Sequence, residues 1–286
     1  MPTLYVVATP IGNLGDFSPH AVETLKSVSL IAAEDTRVTQ KLLTSFGIQT
    51  PLTSCHEHNE RSKAEQIVRR MLDEGVDVAV TTDAGTPCIS DPGSLLAAEA
   101  IRAGLPVVAV AGPTAMAAAL SVSGLPLTEF TFVGFLPRQK SELKAALLDL
   151  AARSKVAVAH ESPHRVEALL ECLLDCLPRT FVSASCDLTK KFEKTIRGTV
   201  EEVLEAFRAN AKAEKGEYCL VLEWHDEVKP KVEAAPVSLE ARLFDGLMGG
   251  LSLRESMDAL IAAGERKNAV YAASLRVKER LREADE

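Results

Sequence analysis

The 286-residue sequence lacks three features that would each indicate a particular class of protein. It has no apolar run of the roughly 18 residues that a membrane-spanning helix needs. It has no excess of positive charge, since 32 Lys and Arg stand against 40 Asp and Glu, a formal net charge of −8. That balance argues against nucleic-acid binding through bulk charge but allows a local basic groove. Its six cysteines form no C-x-x-C pair, so we expect free thiols and a cytoplasmic protein.

The sequence also lacks the short motifs of several common enzyme classes. It contains no G-x-G-x-x-G, no P-loop, no G-x-S-x-G and no H-E-x-x-H. The sequence therefore carries no signature of a Rossmann dinucleotide site, a P-loop hydrolase, an α/β hydrolase or a zinc protease. No basic segment precedes an apolar core at the amino terminus, so we expect neither secretion nor a membrane partner.

The first 225 residues alternate between apolar β-type runs and helical segments. Several runs are apolar on both faces, which is typical of strands covered on both sides in a parallel α/β sheet. These runs lie at residues 4–8, 76–81 and 106–110. Helices are predicted to begin after Ser18 and to end at Gly75 and Gly104, where glycine can adopt the left-handed conformation that closes a helix.

The pattern predicts an α/β fold with two α/β domains, a linker and a small helical module. The first domain spans 1–120, and the second spans 121–226 with a mixed sheet. Residues 227–237 contain two prolines among charges, which is linker composition. Residues 238–286 predict three short helices, at about 238–247, 252–263 and 266–282, in a helix-turn-helix-like module. This module has eight Lys and Arg against nine Asp and Glu, so its charge does not indicate a DNA partner.

Three loops rich in glycine and proline follow strands of the first domain. In a parallel sheet such loops lie at the carboxyl ends of the strands, where ligands bind. The density of turn residues and hydroxyls in the second loop exceeds what a surface turn needs. The loops span residues 9–16, 82–93 and 111–116. We expect them to converge on one ligand cleft.

Two polar clusters admit more than one interpretation. Glu34, Asp35 and Arg37 follow a probable strand and either orient a substrate and accept a proton, or form an ion cluster with a helix cap. Residues 55–60, Cys-His-Glu-His-Asn-Glu, include metal-ligand types. Because no second ligand group follows at a suitable spacing, we expect polar contacts or a cap at Asn59 and no metal.

Two basic segments in the second domain also have two interpretations each. His164 and Arg165 follow a strand and a proline, and either line the cleft between the domains or belong to a helix cap. Residues 187–191 include Lys190 and Lys191, which either contact phosphate or protect a solvated edge strand.

Taken in order, segments 9–14, 33–37, 56–60, 83–93 and Gly112-Pro113 resemble the ribosomal RNA small subunit methyltransferase I family. Members are cytidine 2′-O-methyltransferases with a fold similar to that of the tetrapyrrole methylases. The resemblance covers residues 3–225, and the helical tail resembles a module that many members carry. It implies S-adenosylmethionine (SAM) bound between the two α/β domains. It further implies a cytidine in the decoding region of 16S rRNA within the small ribosomal subunit, and a homodimer.

The resemblance also implies site residues, by motif position. The implied cofactor contacts are Pro10, Gly12, Asp83, Gly85, Thr86, Ile89, Thr114, Ala115, Glu161 and Leu188. The substrate contacts that we expect are Asn13, His164, Arg165 and Lys190. Glu34, Asp35 and His58 are candidates for the group that accepts the hydroxyl proton, and Arg37 would stabilise developing negative charge. The sequence does not choose among the three.

Two positions depart from the family pattern. His160 stands where the family usually has an aromatic residue, and Cys186-Asp187 replaces Arg-Glu before Leu-Thr-Lys. The lost arginine removes a potential phosphate or carboxylate contact. Two alternative functions also fit the same fold: a SAM-dependent tetrapyrrole methyltransferase, and a non-catalytic ribosome-binding protein. The tail and the Lys190-Lys191 pair favour an RNA substrate.

Overall fold

The computed structural model describes residues 1–210, 215–228 and 237–284. The chain divides into one compact unit over Met1–Pro230 and a second over Lys231–Glu286. Most of the predicted linker 227–237 lies outside the described residues, and the domain boundaries stay predictions. No helix in the described ranges has the length and apolar character needed to cross a membrane.

A five-stranded parallel sheet of order β3-β2-β4-β1-β5 forms the first half of the larger unit. Its strands are β1 (Leu4–Val7), β2 (Leu30–Ala33), β3 (Leu52–Ser54), β4 (Val78–Thr81) and β5 (Val107–Val110). The helices are α1 (Pro19–Ser27), α2 (Thr36–Ser45), α3 (Glu60–Glu74), α4 (Ser94–Arg102) and α5 (Ala115–Ser121). The predicted parallel α/β sheet is confirmed.

Both faces of this sheet are covered, as the two-sided apolar runs predict. On β4, Ala79 packs in a buried cluster with Leu25 of α1, whereas Val80 packs in another with Met71 of α3. Neighbouring residues on a strand point to opposite faces, so the two helix layers sandwich the sheet.

Local chemistry sets the helix ends. The Ser18 hydroxyl accepts a hydrogen bond from the Ala21 amide at the start of α1.

A second five-stranded sheet, of order β6-β7-β10-β8-β9, is mixed, as predicted. Strands β6 and β7 pair in parallel, and the remaining pairs are antiparallel. Its strands are β6 (Thr131–Phe135), β7 (Val156–Glu161), β8 (Phe181–Cys186), β9 (Lys194–Thr199) and β10 (Tyr218–Glu223). Its helices are α6 (Lys140–Arg153), α7 (Pro163–Cys176) and α8 (Val200–Arg208).

Helix α5 joins the two sheets. Ala119 and Leu120 of α5 belong to one buried cluster with Val158 of β7 and Val221 of β10. Ile11, from the loop after β1, and Leu188, from the loop after β8, lie in the same cluster. This shared core holds the carboxyl ends of the first sheet against the second sheet.

The second unit is a helical bundle made of α9 (Leu239–Met248), α10 (Leu253–Ala262) and α11 (Lys267–Ala284). These bounds match the three predicted helices within two residues. Serines at the starts of α9 and α10 accept backbone hydrogen bonds as helix caps. Leu243, Leu260, Val270, Ala273 and Val277 form its core.

Candidate active site

Hydrogen bonds join the loops that follow β1, β4 and β5 into one layer. The Thr9 amide donates to the Gly85 carbonyl at 2.8 Å, and the Gly85 amide returns a bond to the Thr9 carbonyl at 3.0 Å. The Thr86 hydroxyl donates to the Pro113 carbonyl at 3.4 Å. Gly85 has a φ of +88°, a left-handed backbone that favours glycine. The predicted convergence of these loops is therefore found in the structure.

A cleft of about 410 Å³ lies between this layer and the second sheet. Its volume falls in the range of about 300–1,000 Å³ that is usual for small-molecule sites. From the first half, the cleft is lined by Ile11, Ala84, Gly85, Thr86, Ile89, Ser90, Asp91, Thr114, Ala115 and Met116. From the second half, it is lined by Phe132, Phe135, His160, Glu161, Ser162, Pro163, Leu188, Glu217, Tyr218 and Cys219.

Glu161 places a buried carboxylate in the wall of this cleft. The residue is only 3% exposed. Its Oε1 accepts a hydrogen bond from the Ser162 amide at 2.8 Å. Its Oε2 lies 3.2 Å from Nη2 of Arg165 but receives no hydrogen bond among the described residues. Burial raises the pKa of this carboxyl, and Arg165 opposes the rise. The carboxyl group is therefore held in the cleft wall between the Ser162 amide and the Arg165 guanidinium.

Asp91 is the second acidic group of the cleft, and it stands beside a carboxylate network. Burial, with the negative charges of Glu34 and Asp83, raises the pKa of Asp91 to about 6. Glu34 Oε2 accepts from the Thr82 hydroxyl at 2.5 Å. Asp83 Oδ1 accepts from the Asp35 amide at 3.1 Å. The network thus connects the ends of β2 and β4 to the cleft.

Aromatic rings of the second sheet also line the cleft. The His160 ring lies 5.2 Å from that of Phe132 and 6.0 Å from that of Phe135, measured between centroids. Burial lowers the pKa of His160, so the imidazole is neutral at pH 7. Burial also raises the pKa of Cys219 to about 12, which makes this thiol a poor nucleophile.

The structure brings most of the expected cofactor residues together. Those that line the cleft are Gly85, Thr86, Ile89, Thr114, Ala115, Glu161 and Leu188. Pro10, Gly12 and Asp83 do not line it, although each is close in sequence to a residue that does. A Cβ on Gly12 would lie 2.4 Å from Cγ of Lys190 and 3.2 Å from the Leu188 carbonyl, so Gly12 permits close approach of the two halves.

The expected catalytic residues lie outside the cleft lining. Asp35 caps α2 by accepting from the Arg37 amide at 2.8 Å, and it also pairs with the Arg37 guanidinium. The Arg37 side chain is 87% exposed. His58 is exposed beside the His56 ring. Glu34 is linked to the cleft indirectly. It accepts a hydrogen bond from Thr82, and its negative charge raises the pKa of Asp91, which lines the cleft. The roles expected of these side chains stay predictions.

The expected substrate residues are divided between two regions. Asn13 accepts from the Gly15 amide at 2.9 Å and starts a short 3₁₀ turn at Leu14–Asp16. The Lys190 ammonium donates to Asp187 and Glu217 at 2.9 Å each. His164 and Arg165 line another cleft, described next. The four expected substrate residues therefore do not line a single cleft.

A second, more open cleft of about 720 Å³ adjoins the first and shares Phe135 and Ser162 with it. Its other lining residues are Leu136, Pro137, Arg138, His164 and Arg165. Arg165 donates to the Leu136 and Pro137 carbonyls at 2.9 Å each. Phe135 is 63% exposed. This cleft therefore combines an exposed ring with basic side chains.

Sequence reasoning missed several residues of the site. Asp91 lies inside the 82–93 loop but was not singled out there, although Asp-Pro-Gly after a strand is a typical site of ligand loops. Phe132, Tyr218 and Cys219 belong to strands, where the apolar pattern indicates only a core. Within the described ranges, no group of three or more His, Cys, Asp or Glu side chains is arranged to hold a metal ion.

Comparison with known proteins agrees with this architecture. Residues 3–204 match the family model of the Tetrapyrrole (Corrin/Porphyrin) Methylases. The ribosomal RNA small subunit methyltransferase I of Halalkalibacterium halodurans is 44% identical over 239 residues, which cover 84% of this chain and 81% of that protein. The protein of the same name from Pseudomonas aeruginosa is 42% identical over 284 residues, which cover 96% of each chain.

Solved structures share the fold at low sequence identity. A uroporphyrin-III C-methyltransferase from Thermus thermophilus, complexed with S-adenyl homocysteine, has a TM-score of 0.51 and 19% identity. The match covers 78% of this chain and 97% of that chain. From the family model and these relatives together, we conclude that the chain is a methyltransferase of the tetrapyrrole methylase family and belongs, within it, to the ribosomal RNA small subunit methyltransferase I family.

Proposed function

We propose that this enzyme uses SAM to methylate the 2′-oxygen of a cytidine ribose in the decoding region of 16S rRNA. The observation that carries the proposal is the 42% identity over 284 residues to a ribosomal RNA small subunit methyltransferase I. The two adjoining clefts support it, because a donor and a large acceptor need separate entrances to one reaction centre.

The residues of the first cleft fit SAM. The Glu161 and Asp91 carboxyl groups line this cleft and offer acceptor oxygens for the amine and the ribose hydroxyls of such a molecule. The loop containing Gly85 and Thr86 offers backbone amides and carbonyls, and Ile89 and Met116 offer apolar surface for an adenine ring. When bound, SAM supplies an activated methyl group on a positively charged sulfur.

The second cleft fits the nucleic-acid substrate. Phe135 is an exposed ring at the boundary of the two clefts, and aromatic rings stack on unpaired bases. Arg138 and His164 line the same cleft and provide basic groups for phosphate. Arg165, held by the Leu136 and Pro137 carbonyls, orients this segment. A cytidine turned out of its helix would thus meet the first cleft at Phe135.

Proton removal from the ribose hydroxyl is assigned to the carboxylate network. Asp91 reaches the cleft, and burial, together with the negative charges of Glu34 and Asp83, raises its pKa to about 6, which makes it a better base than an ordinary aspartate. The oxygen–methyl bond forms as the sulfur–methyl bond breaks, and the hydroxyl proton passes to a carboxylate. Glu34, Asp35 and His58 remain the residues to test by alanine substitution, with turnover measured at unchanged SAM affinity.

A homodimer is proposed from the open edge of the first sheet. Strand β5 lies at that edge, and Val108 is 40% exposed on it. Leu95 and Ile101 of α4 are 42% and 64% exposed. Unpaired strand edges and adjoining apolar side chains are commonly covered by a second chain. Molecular mass in solution tests this assignment.

The function is tested by methyl transfer from labelled SAM to small ribosomal subunits that lack this modification. Free 16S rRNA and a tetrapyrrole are offered in parallel, and the labelled nucleoside is identified. Label on a cytidine 2′-oxygen supports the proposal, and a preference for the assembled subunit would agree with the net charge of −8. Such a substrate would also place the enzyme in the cytoplasm.

The same experiment separates the two rival functions. Label on the tetrapyrrole would keep the cofactor and overturn the substrate. SAM binding without label on any acceptor would favour a non-catalytic ribosome-binding protein. The structural likeness to tetrapyrrole enzymes does not decide this point, because at 19% identity it reports the fold alone.

A further inference from the structure

One side of helix α11 has a distinct composition. Lys267, Tyr271, Leu275, Lys278 and Arg282 are spaced by four, four, three and four residues, which places them on one side of a helix. At 100° per residue they fall within an arc of about 80°, over a length of about 22 Å. All five are exposed. We name this set the α11 stripe.

The stripe is separate from the surface that stabilises the helical unit. Val270, Ala273 and Val277 occupy the adjoining side and are fully buried against Leu243 and Leu260. Tyr271 and Leu275 remain 59% and 51% exposed. The stripe is therefore not needed for the core, and its side chains are open to a partner.

All charged side chains of the α11 stripe are positive. Over residues 267–282 the arc contains three cations and no Asp or Glu, and Glu279 falls outside it. In the part of the chain that the structure describes, Lys267, Lys278 and Arg282 form no ion pair. By contrast, Arg276 on another side of the same helix pairs with Glu240 at 2.5 Å. The unit as a whole is close to neutral, so this positive stripe is a local feature.

The composition fits RNA better than a protein partner. Lysine is depleted at the centres of protein interfaces, and two exposed apolar side chains are few for such a centre. Unpaired cations with an interleaved aromatic ring are what a nucleic-acid strand requires, because the cations neutralise phosphates and the ring stacks on an exposed base.

We propose that the α11 stripe binds the phosphate backbone of the RNA substrate, with Tyr271 stacked on an unpaired base. This inference rests on the proposed function, since it names a second contact surface for the same substrate. It also gives a physical reason for an acidic enzyme to retain RNA: a local cationic strip compensates for unfavourable bulk charge.

Direct RNA binding tests the stripe independently of methyl transfer. The full chain is titrated into a fluorescent RNA hairpin with an unpaired loop, at several salt concentrations. The K278A/R282A variant is compared with the charge-matched control R254A/R280A, whose two exposed arginines lie outside the stripe. We expect about tenfold weaker binding for the first, with a salt slope reduced by about one per lost phosphate contact, and little change for the control.

Tyr271 provides a second measurement. Tyr271→Ala should weaken binding by at least about fivefold without changing the salt slope, and Tyr271→Phe should restore it, because stacking needs only the ring. Equal losses in K278A/R282A and R254A/R280A, wild-type binding in both, or absence of RNA binding by the wild-type chain would each overturn the proposal. Stripe-dependent RNA binding without methyl transfer to rRNA would sustain the stripe and reject the proposed function.

Discussion

The Glu60 carboxylate holds the backbone of Gly93. Glu60 is 5% exposed on α3, and its Oε1 accepts from the Gly93 and Leu95 amides at 2.8 Å each. Gly93 stands at the start of α4 and has no side chain to cap the helix. A carboxylate from another helix therefore satisfies these amides, where the helix dipole favours negative charge. The same contact anchors the loop that brings Ile89 and Asp91 to the cleft.

Replacing Glu60 should weaken both the fold and the site. Glu60→Ala leaves buried amides without acceptors, so the free energy of unfolding should fall by about 1–3 kcal/mol. SAM affinity should fall with it, because the loop before Gly93 loses its anchor. Urea unfolding and calorimetric titration of SAM measure the two effects.

Glu57 and a conservative change provide the controls for that prediction. Glu57→Ala removes an exposed carboxylate from the same segment and should leave both quantities within about 0.5 kcal/mol of the wild type. Glu60→Gln keeps an acceptor oxygen and should recover most of the stability. Similar behaviour of the Glu57 and Glu60 alanine variants would show that the carboxylate does not hold the loop.

The Asp91 carboxyl should lower the stability of the folded chain while it contributes to SAM binding. Its pKa rises from 3.8 to about 6 in the folded chain, so folding favours the protonated form. The free energy of unfolding therefore decreases as the pH rises from 3.8 to about 6. Above the folded pKa the carboxyl is ionised in both states, and the whole destabilising effect of burying its charge is present. Asp91→Asn, which is neutral at every pH, should stabilise the chain by about 1 kcal/mol at pH 7 after allowance for solvent screening.

That gain should be largely lost near pH 3, where the carboxyl is mostly protonated in both states. The asparagine variant should nevertheless bind SAM more weakly, since it loses the charge that faces the cleft. Urea unfolding at the two pH values and a SAM titration at pH 7 measure these outcomes. A gain that persists at low pH would show that it does not come from relief of the charge.

Local chemistry explains why much of the fold is predictable. Ser18 caps α1 and Gly75 closes α3 in a left-handed conformation, as expected from their residue types. Strand β3 has three residues and no apolar run long enough to be recognised. Asn59 lies at the start of α3, but its side chain binds the His56 amide and the Ser54 hydroxyl instead of capping the helix.

The site was harder to predict because its contacts join distant segments. The Glu60–Gly93 contact depends on how α3 and α4 pack, which no local pattern encodes. Tyr218 reaches the cleft only because β10 lies at the centre of the second sheet. The sequence left two interpretations for Arg37, a substrate contact or an ion cluster, and in the structure Arg37 pairs with its neighbour Asp35. The glycine-rich loops were found because their composition itself reports their role.

Gly112 permits close packing against β1. A Cβ at this position would lie 2.8 Å from Cβ of Ala8, nearer than side chains pack. Gly112→Ala should therefore destabilise the chain by about 1–3 kcal/mol and weaken SAM binding, because β1 and the loop after β5 must separate. In the Ala8→Gly background the same change should cost much less, since the opposing atom is gone. A double-mutant cycle in urea gives the coupling, and additive effects would contradict this explanation.

His160 should make SAM binding sensitive to acid. Burial keeps its pKa below the ordinary value of 6.5, so the ring becomes a cation only at low pH. An imidazolium in the cleft wall should repel the positively charged sulfur of SAM. It should have little effect on S-adenosylhomocysteine, which lacks that charge. As the pH is lowered below 6.5 and the ring becomes protonated, the wild-type preference for SAM over S-adenosylhomocysteine should therefore fall several-fold, as expected for roughly 1 kcal/mol of repulsion between partly buried charges.

The His160→Phe variant isolates this effect from the other groups of the cleft. Burial also raises the pKa values of Asp91 and Glu161, but both carboxyl groups remain in the variant and contribute equally to the two proteins. Phenylalanine keeps the ring packing with Phe132 and Phe135 and cannot be protonated. The ratio of SAM to S-adenosylhomocysteine affinity in the variant should thus depend less on pH than in the wild type. An unchanged pH dependence would assign the acid sensitivity to the carboxylates and leave His160 a packing role alone.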